Sequence, residues 1–304
     1  MTEAFHVPVL GPVAIDLLMT NPDGVYIDCT VGGGGHSRLI VERLSARGQL
    51  IGCDRDADAI RYSERVLPSS VRLFQIPFSQ ISVGLCDFVR DGAAGVLMDL
   101  GVSSFQLDEA ERGFSHRVSA PLDLRMDPSA GETAAQYLGR LTGDELTRVI
   151  REYGEDSQAA RIARAIAHER KERPIETTDH LARVISEAVP ATRAKSLARV
   201  FQALRIAVNH ELEELGHGLQ GAWNLLSHGG RLVVISYHSL EDRMVKEFMN
   251  EKAHPGSDPR LPFPPPSVAS GQLLTRKVVT PTPDEIEINP RARSAKLRAI
   301  EKVH

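Results

Sequence analysis

The stretch DCTVGGGGHS, Asp28 to Ser37, places an acidic residue, four consecutive glycines and a His-Ser pair within ten positions. Glycines at the exit of a strand let a ligand approach the backbone closely, and a helix starting beyond them favours an anionic group. Counted from Gly32, the dinucleotide fingerprint G-x-G-x-x-G needs a glycine at position 37, where the chain has Ser37. The loop therefore leans toward S-adenosylmethionine, whose methionine tail bears a carboxylate, with Asp28 as the acid on the strand before it. A nicotinamide cofactor stays open, because Gly-rich strand-to-helix turns serve both. Asp54 ends a second apolar run and is placed to accept hydrogen bonds from two ribose hydroxyls. Pro77-Phe78 follows a third run and offers an aromatic face to adenine. Asp99 closes a fourth, and the polar turn DLGVSS leaves the sheet there, at the edge where open α/β sheets place their chemistry.

Such residues act together only if elements bring them to one edge. The runs VYIDCT, LIGCD, VRLFQ and GVLMDL alternate with helical patterns, which predicts βαβ units and a parallel sheet. A fifth run, RLVVIS at 231–236, follows the helical pattern GLQGAWNLLSHGG. Between Leu100 and Arg231 lie 130 residues, whereas a βαβ unit needs only about 30. The insert reads as helical. Leu181, Val184, Ile185 and Ala188 recur at helical spacing before Pro190, and SQAARIARAIAHERKERP closes at Pro174. Leu197, Val200, Phe201, Leu204 and Val208 predict one unbroken stripe through KSLARVFQALRIAVNHELEEL, leading back to the sheet. The Pro-rich stretch from His254 to Ser267 predicts a mobile loop. The expected domains are 1–110 and 212–304 for the sheet, with 111–211 as the insert.

Composition is that of an ordinary globular chain, 42% hydrophobic and 25% charged. The three cysteines, Cys29, Cys53 and Cys86, lack C-x-x-C spacing, so neither a disulfide framework nor a zinc site is expected. With no basic leader and no apolar run near the ~20 residues of a membrane span, the reading is a cytoplasmic protein with no membrane partner. The net charge of −4 conceals an uneven distribution. Residues 160–205 hold 10 Lys and Arg against 5 Asp and Glu, and residues 260–304 hold 8 against 4. The composition permits an RNA-binding surface.

His6-x-Pro8-Val9-Leu10, GGGGHS, GCDRD, DLGVSSFQLD with RGFS, PLDLRMD, YGE, FQALRIAVNHEL, YHSLEDRMVK and NPRARSAKLR follow in order along nearly the whole chain. In this set the chain closely resembles the bacterial small-subunit (16S) ribosomal RNA cytidine N(4)-methyltransferase family. The resemblance implies an α/β fold, a Rossmann-like S-adenosylmethionine-dependent methyltransferase sheet with an inserted all-helical substrate-recognition domain. It implies methylation of the exocyclic 4-amino group of a decoding-centre cytidine, with the small ribosomal subunit as partner; it leaves the oligomeric state open, a dimer included. Carried over by position, the family's cofactor contacts fall on Gly34, Gly35, His36, Asp54, Phe78, Asp99 and Gln106. Departures are the stretch AKSLARVFQALRI, His116-Arg117 after RGFS, and Tyr237 where the family usually has Phe. They are expected to bear on substrate fit more than on cofactor binding.

A cytosine amine is a weak nucleophile because its lone pair is delocalised into the ring, so a hydrogen-bond acceptor must hold it in line with the methyl group. Asp99 is the first candidate, with Ser103 and Ser104 as helpers. The Asp/Asn-Pro-Pro-aromatic string of many amino-methylating enzymes is absent, since the chain reads Asp99-Leu100-Gly101-Val102. His238, after the fifth run, is a secondary candidate for touching the base or relaying its proton, unless backbone partners satisfy it. Carbon-5 methylation needs a cysteine nucleophile, and no cysteine follows Asp99. No metal is expected. RNA is expected against Arg161, Arg164, Arg170, Lys171, Arg193, Lys195 and Arg199, and against Arg291, Arg293, Lys296 and Arg298.

Overall fold

The computed structural model describes residues 8–103, 106, 109–115, 118–256 and 268–304. The chain runs through α1 (Gly11–Leu18), β1 (Val25–Asp28), α2 (Gly35–Val41), β2 (Gln49–Asp54), α3 (Ala57–Val66), β3 (Arg72–Gln75), α4 (Ile81–Gly84) and β4 (Ala93–Asp99). Next come five helices, α5 (Ala134–Arg140), α6 (Gly143–Gly154), α7 (Ala159–Glu172), α8 (Thr178–Ala188) and α9 (Arg193–Asn209). The last part holds α10 (Glu211–Leu225), β5 (Leu226–Ser236), α11 (Ser239–Ala253), β6 (Gly271–Leu273), α12 (Pro283–Ile288) and β7 (Lys296–Lys302). Two compact units result: residues up to Gly101 with Glu213–His304, and Val102–Leu212.

In the first unit a seven-stranded sheet has the order β3-β2-β1-β4-β5-β7-β6. β1 to β5 are parallel, and β7 is antiparallel to β5 and to β6. Strand residues alternate between faces, and both faces are covered. Ile27, Ile51, Val96, Met98 and Val234 pack with Leu215, Leu219 and Trp223 of α10. Tyr26, Leu50, Leu97, Val233 and Ile235 pack with Ala14, Ile15 and Leu18 of α1. Asp28 is in register with Gly52 and Leu97, Asp54 with Gln75, and Asp99 with Ile235. The carboxyl ends of β1, β2 and β4 thus share one edge. The strand order reverses between β1 and β4, so the loops leaving them diverge and open a crevice.

β6 and β7 were not among the expected runs, although KLRAIEK carries the alternation of a half-buried strand, with Leu297 and Ala299 inward. β5 also begins five residues before the expected RLVVIS, directly where α10 ends.

The second unit packs α5 to α9 around Leu146, Ile150, Ile162, Ile166, Leu181, Ile185, Val200 and Leu204. Capping boxes start two of these helices, Thr133 with Gln136 and Thr142 with Glu145. The expected unbroken stripe to residue 215 is instead divided at His210, a left-handed residue with φ 52°. Side-chain bonds fix the break. Asn209 accepts from Met126 N at 2.7 Å and donates to Leu124 O at 2.7 Å, while Arg205 grips Glu211 across the turn at 2.8 and 2.9 Å. The first boundary also falls earlier than the expected 110/111, between Gly101 and Val102. Val102 packs on the helical core, and Arg112 donates to the carbonyls of Arg125 and Met126.

Candidate active site

Asp28, at the end of β1, is fully buried. Its carboxylate accepts from Ser37 Oγ at 2.6 Å and Thr30 N at 3.1 Å, clamping the two ends of the glycine loop together. Burial pushes its pKa up, and the Ser37 hydroxyl opposes that. Between the clamped ends Gly32 and Gly34 take positive φ, 49° and 75°, which side chains tolerate poorly. A Cβ on Gly33 would meet nothing within 4 Å. The loop backbone is therefore open to a ligand at its apex, while Gly34 and Gly35 turn the chain into α2.

Asp54 is tied from both sides: Oδ2 accepts from Gly32 N and Oδ1 from Asp56 N, each at 2.9 Å. A carboxylate offers about four lone-pair sites, so acceptor capacity remains for a pair of ribose hydroxyls. Burial pushes the carboxyl up to about 6 against those two backbone bonds, and the charges of Asp56 and Asp28 add to the rise. Phe78 is half-buried against α10. A Cβ on Gly218 would lie 2.5 Å from its Cδ2, so the ring rests in the notch that this glycine leaves.

Asp99 is tied to three neighbouring segments. Its N–H donates to Thr30 Oγ1 at 2.7 Å, and its Oδ1 accepts from the Tyr237 hydroxyl at 2.8 Å. Its Oδ2 lies 3.6 Å from Nδ1 of His36. The His36 ring is buried and its Nε2 is 3.0 Å from Val9 O. A carbonyl can only accept, so Nε2 donates to Val9 O, and Nδ1 is the nitrogen that faces Asp99. Burial pushes Asp99 up to about 6, with the charges of Asp28 and Glu241 adding to the rise and His36 and Tyr237 opposing it.

His238 caps α11. Nδ1 accepts from Glu241 N at 3.4 Å, Nε2 lies 3.1 Å from Glu241 Oε1, and the side chain is 8% exposed. Nδ1 thus serves the cap, while Nε2, buried beside Glu241 Oε1, has no hydrogen-bond partner among the described residues. Ser103 and Gln106 belong to the helical unit and hold each other: Ser103 N donates to Gln106 Oε1 at 3.0 Å, and Gln106 N to Ser103 Oγ at 3.2 Å. Ser104, like His6, His116, Arg117 and residues 257–267 of the Pro-rich stretch, lies outside the described residues. The sheet unit therefore gathers Gly34, Gly35, His36, Asp54 and Asp99 on the edge where β1, β2 and β4 end, while Phe78, beyond the end of β3, packs against α10. Thr30 and Ser37 were missed as site residues, although an acid two residues before Thr30 marks an Asx turn. Tyr237, expected to bear on substrate fit, instead touches Asp99.

The sequence pattern of the MraW methylase family matches residues 3–303. The chain belongs to that family. A ribosomal RNA small subunit methyltransferase H from Geobacter sp. (strain M21) is 46% identical over 312 residues, taking in all of both chains. Another bearing that name, from Methylococcus capsulatus, is 48% identical over 95% of this chain and 97% of its own. A solved structure titled as a putative rRNA-methylase from Clostridium thermocellum superposes over 99% of each chain with a TM-score of 0.45 at 12% identity, a likeness too low to add to the strand order. The MraW-family chain is an S-adenosylmethionine-dependent methyltransferase on a Rossmann-like sheet, which closes the nicotinamide alternative left open by the glycines. The open apex at Gly33 and the spare acceptor capacity of Asp54 fit that cofactor.

The basic residues of the MraW-family chain divide into two groups. Arg170 donates to the carbonyls of Leu138 and Leu141, closing the end of α5, and Lys296 and Arg298 pair with Asp242 at 3.3 and 2.7 Å. These three are structural partners, contrary to their expected place on an RNA surface. Arg161, Arg164, Lys171, Arg193, Lys195, Arg291 and Arg293 are exposed, and Arg199 is half-buried. Among the described residues no helix is long and apolar enough to cross a membrane.

Proposed function

We propose that this methyltransferase modifies the exocyclic 4-amino group of a decoding-centre cytidine in small-subunit ribosomal RNA, acting in the cytoplasm on the assembled subunit. The reading is supported by the relatives' shared name and, in the structure, by Asp99. That residue presents a carboxylate oxygen at the end of β4, beside the strand-order reversal. S-adenosylmethionine supplies a methyl group on a positively charged sulfur. Asp54 would hold the ribose, Gly34 and Gly35 the methionine tail, and Phe78 the adenine. Asp99 accepts a hydrogen bond from the amine, drawing its lone pair toward tetrahedral geometry, and takes the proton that the nitrogen sheds as its bond to the methyl carbon forms. An acceptor that titrates near pH 6 is ionised at neutral pH and still basic enough to serve.

Mass spectrometry of 16S RNA from a strain lacking the gene tests the substrate: the decoding-centre cytidine should lose its base methyl group, and its retention refutes the assignment. Transfer to intact small subunits but not to naked RNA would support the assembled subunit as substrate. Equal rates on the two would remove that part of the proposal.

A further inference from the structure

Among the described residues, Asp99 receives one side-chain hydrogen bond from beyond the glycine loop, and it comes from Tyr237, directly after β5. The tyrosine is braced. Its backbone N donates to Glu241 Oε2 at 2.9 Å, and its ring lies beside Gly101, where a Cβ would stand 3.5 Å from Cδ2. Burial first, then the charge of Asp99, pushes the phenol far above its ordinary value. The hydroxyl therefore keeps its proton and remains a donor throughout the working pH range.

We propose that Tyr237 is a positioning residue for methyl transfer: by occupying Oδ1 of Asp99, it fixes the carboxylate plane and reserves Oδ2 as the oxygen that accepts the amine. This rests on the reading of Asp99 as the amine acceptor. Geometry carries the proposal. A carboxylate with both oxygens free rotates about its Cβ–Cγ bond, whereas one oxygen held at 2.8 Å on one side, with the His36 ring 3.6 Å away on the other, has a single orientation. The second consequence is electrostatic. The groups facing Asp99 are His36 of α2, Asp28 at the end of β1, Glu241 of α11 and Tyr237 itself; Glu285 of α12 faces Tyr237. Asp28 and Glu241 oppose ionisation of Asp99, while His36 and Tyr237 favour it. Loss of the hydroxyl removes one of the two favourable partners and raises the pKa further.

The test uses the full chain in three forms: wild type, Tyr237→Phe and Asp99→Asn. Carboxyl-carbon NMR of the cofactor-free protein follows the titration of Asp99, and single-turnover methyl transfer to small subunits is measured from pH 5.5 to 9. For Tyr237→Phe, both the titration midpoint and the acid limb of the rate should move up by about one unit, making transfer about threefold slower at pH 6.5. The folded titration itself shows that this variant keeps its structure. Asp99→Asn should abolish the acid limb together with the activity. If the wild-type and Tyr237→Phe titrations and profiles superimpose, the inference about Tyr237 is overturned while the role of Asp99 stands. If Asp99→Asn turns over like wild type, the acceptor reading falls, and the positioning role falls with it even where the NMR midpoint has moved.

Discussion

The carboxyl of Asp99 titrates near pH 6 because its surroundings disfavour its charge more than His36 and Tyr237 support it. A folded-state value raised above the unfolded one means that this group opposes folding at neutral pH, and that the opposition fades as pH falls from about 6 toward 3.8. Asparagine at this position would keep an oxygen that accepts from the Tyr237 hydroxyl and would carry no charge into the buried site. Asp99→Asn is therefore expected to stabilise the cofactor-free protein at pH 7.5 by about 1 kcal/mol, a Tm rise of about 2–4 °C, while abolishing methyl transfer. The gain should shrink several-fold by pH 4, where folded Asp99 is protonated and the unfolded carboxyl, with its ordinary value of 3.8, is about half protonated. Thermal melts of both proteins at the two pH values decide it, and a variant less stable at pH 7.5 would show that the charge is not disfavoured. Asp54 and Asp99 were legible in the sequence because each ends an apolar run. Tyr237 was not legible as a partner of Asp99: it lies 138 positions away, and only the β4–β5 pairing brings the two together.

At the scale of elements, α10 shapes the site through two residues without side chains. Gly218 and Gly221 lie against Phe78 and Ile81, so the helix packs where a larger residue would stand in the way. Gly218→Ala would put its Cβ 2.5 Å from the Phe78 ring, which must then leave the notch. The expected cost is about 1–3 kcal/mol of stability from overpacking, and weaker binding of S-adenosylmethionine if Phe78 holds the adenine. Calorimetry with S-adenosylmethionine beside a thermal melt separates the two effects. A loss of stability with unchanged affinity would take Phe78 out of the cofactor site. The parallel strands and the helical insert were readable from periodicity, because apolar spacing is what builds them. The break between α9 and α10 was not readable: apolar residues continue through it, and it is fixed by the Asn209 and Arg205 bonds, which local spacing does not encode.

Across the whole molecule the charge is segregated, and the basic segment of residues 160–205 belongs to the helical unit. Sequence counting gave that segment its sign but could not separate side chains that hold the unit together from those that face solvent. Arg170 is of the first kind, bound to the carbonyls at the end of α5; Arg161, Arg164, Lys171, Arg193 and Lys195 are of the second. Each phosphate contact made by an exposed cation releases counterions, so affinity for RNA falls with salt, with a log–log slope of about −0.7 per contact on single strands. The double variant Arg193→Gln, Lys195→Gln should therefore bind small-subunit RNA more weakly and lower the slope by about 1.4, with no change in Tm. Arg170→Gln should do the reverse, lowering Tm through the exposed carbonyls of α5 and leaving the salt slope intact. Filter binding from 50 to 300 mM KCl, paired with melts, distinguishes them. An unchanged slope in the double variant would move the RNA contact away from this part of the helical unit, leaving Arg161, Arg164 and Lys171 of that unit, and Arg291 and Arg293 beside β7, as exposed cations to test next.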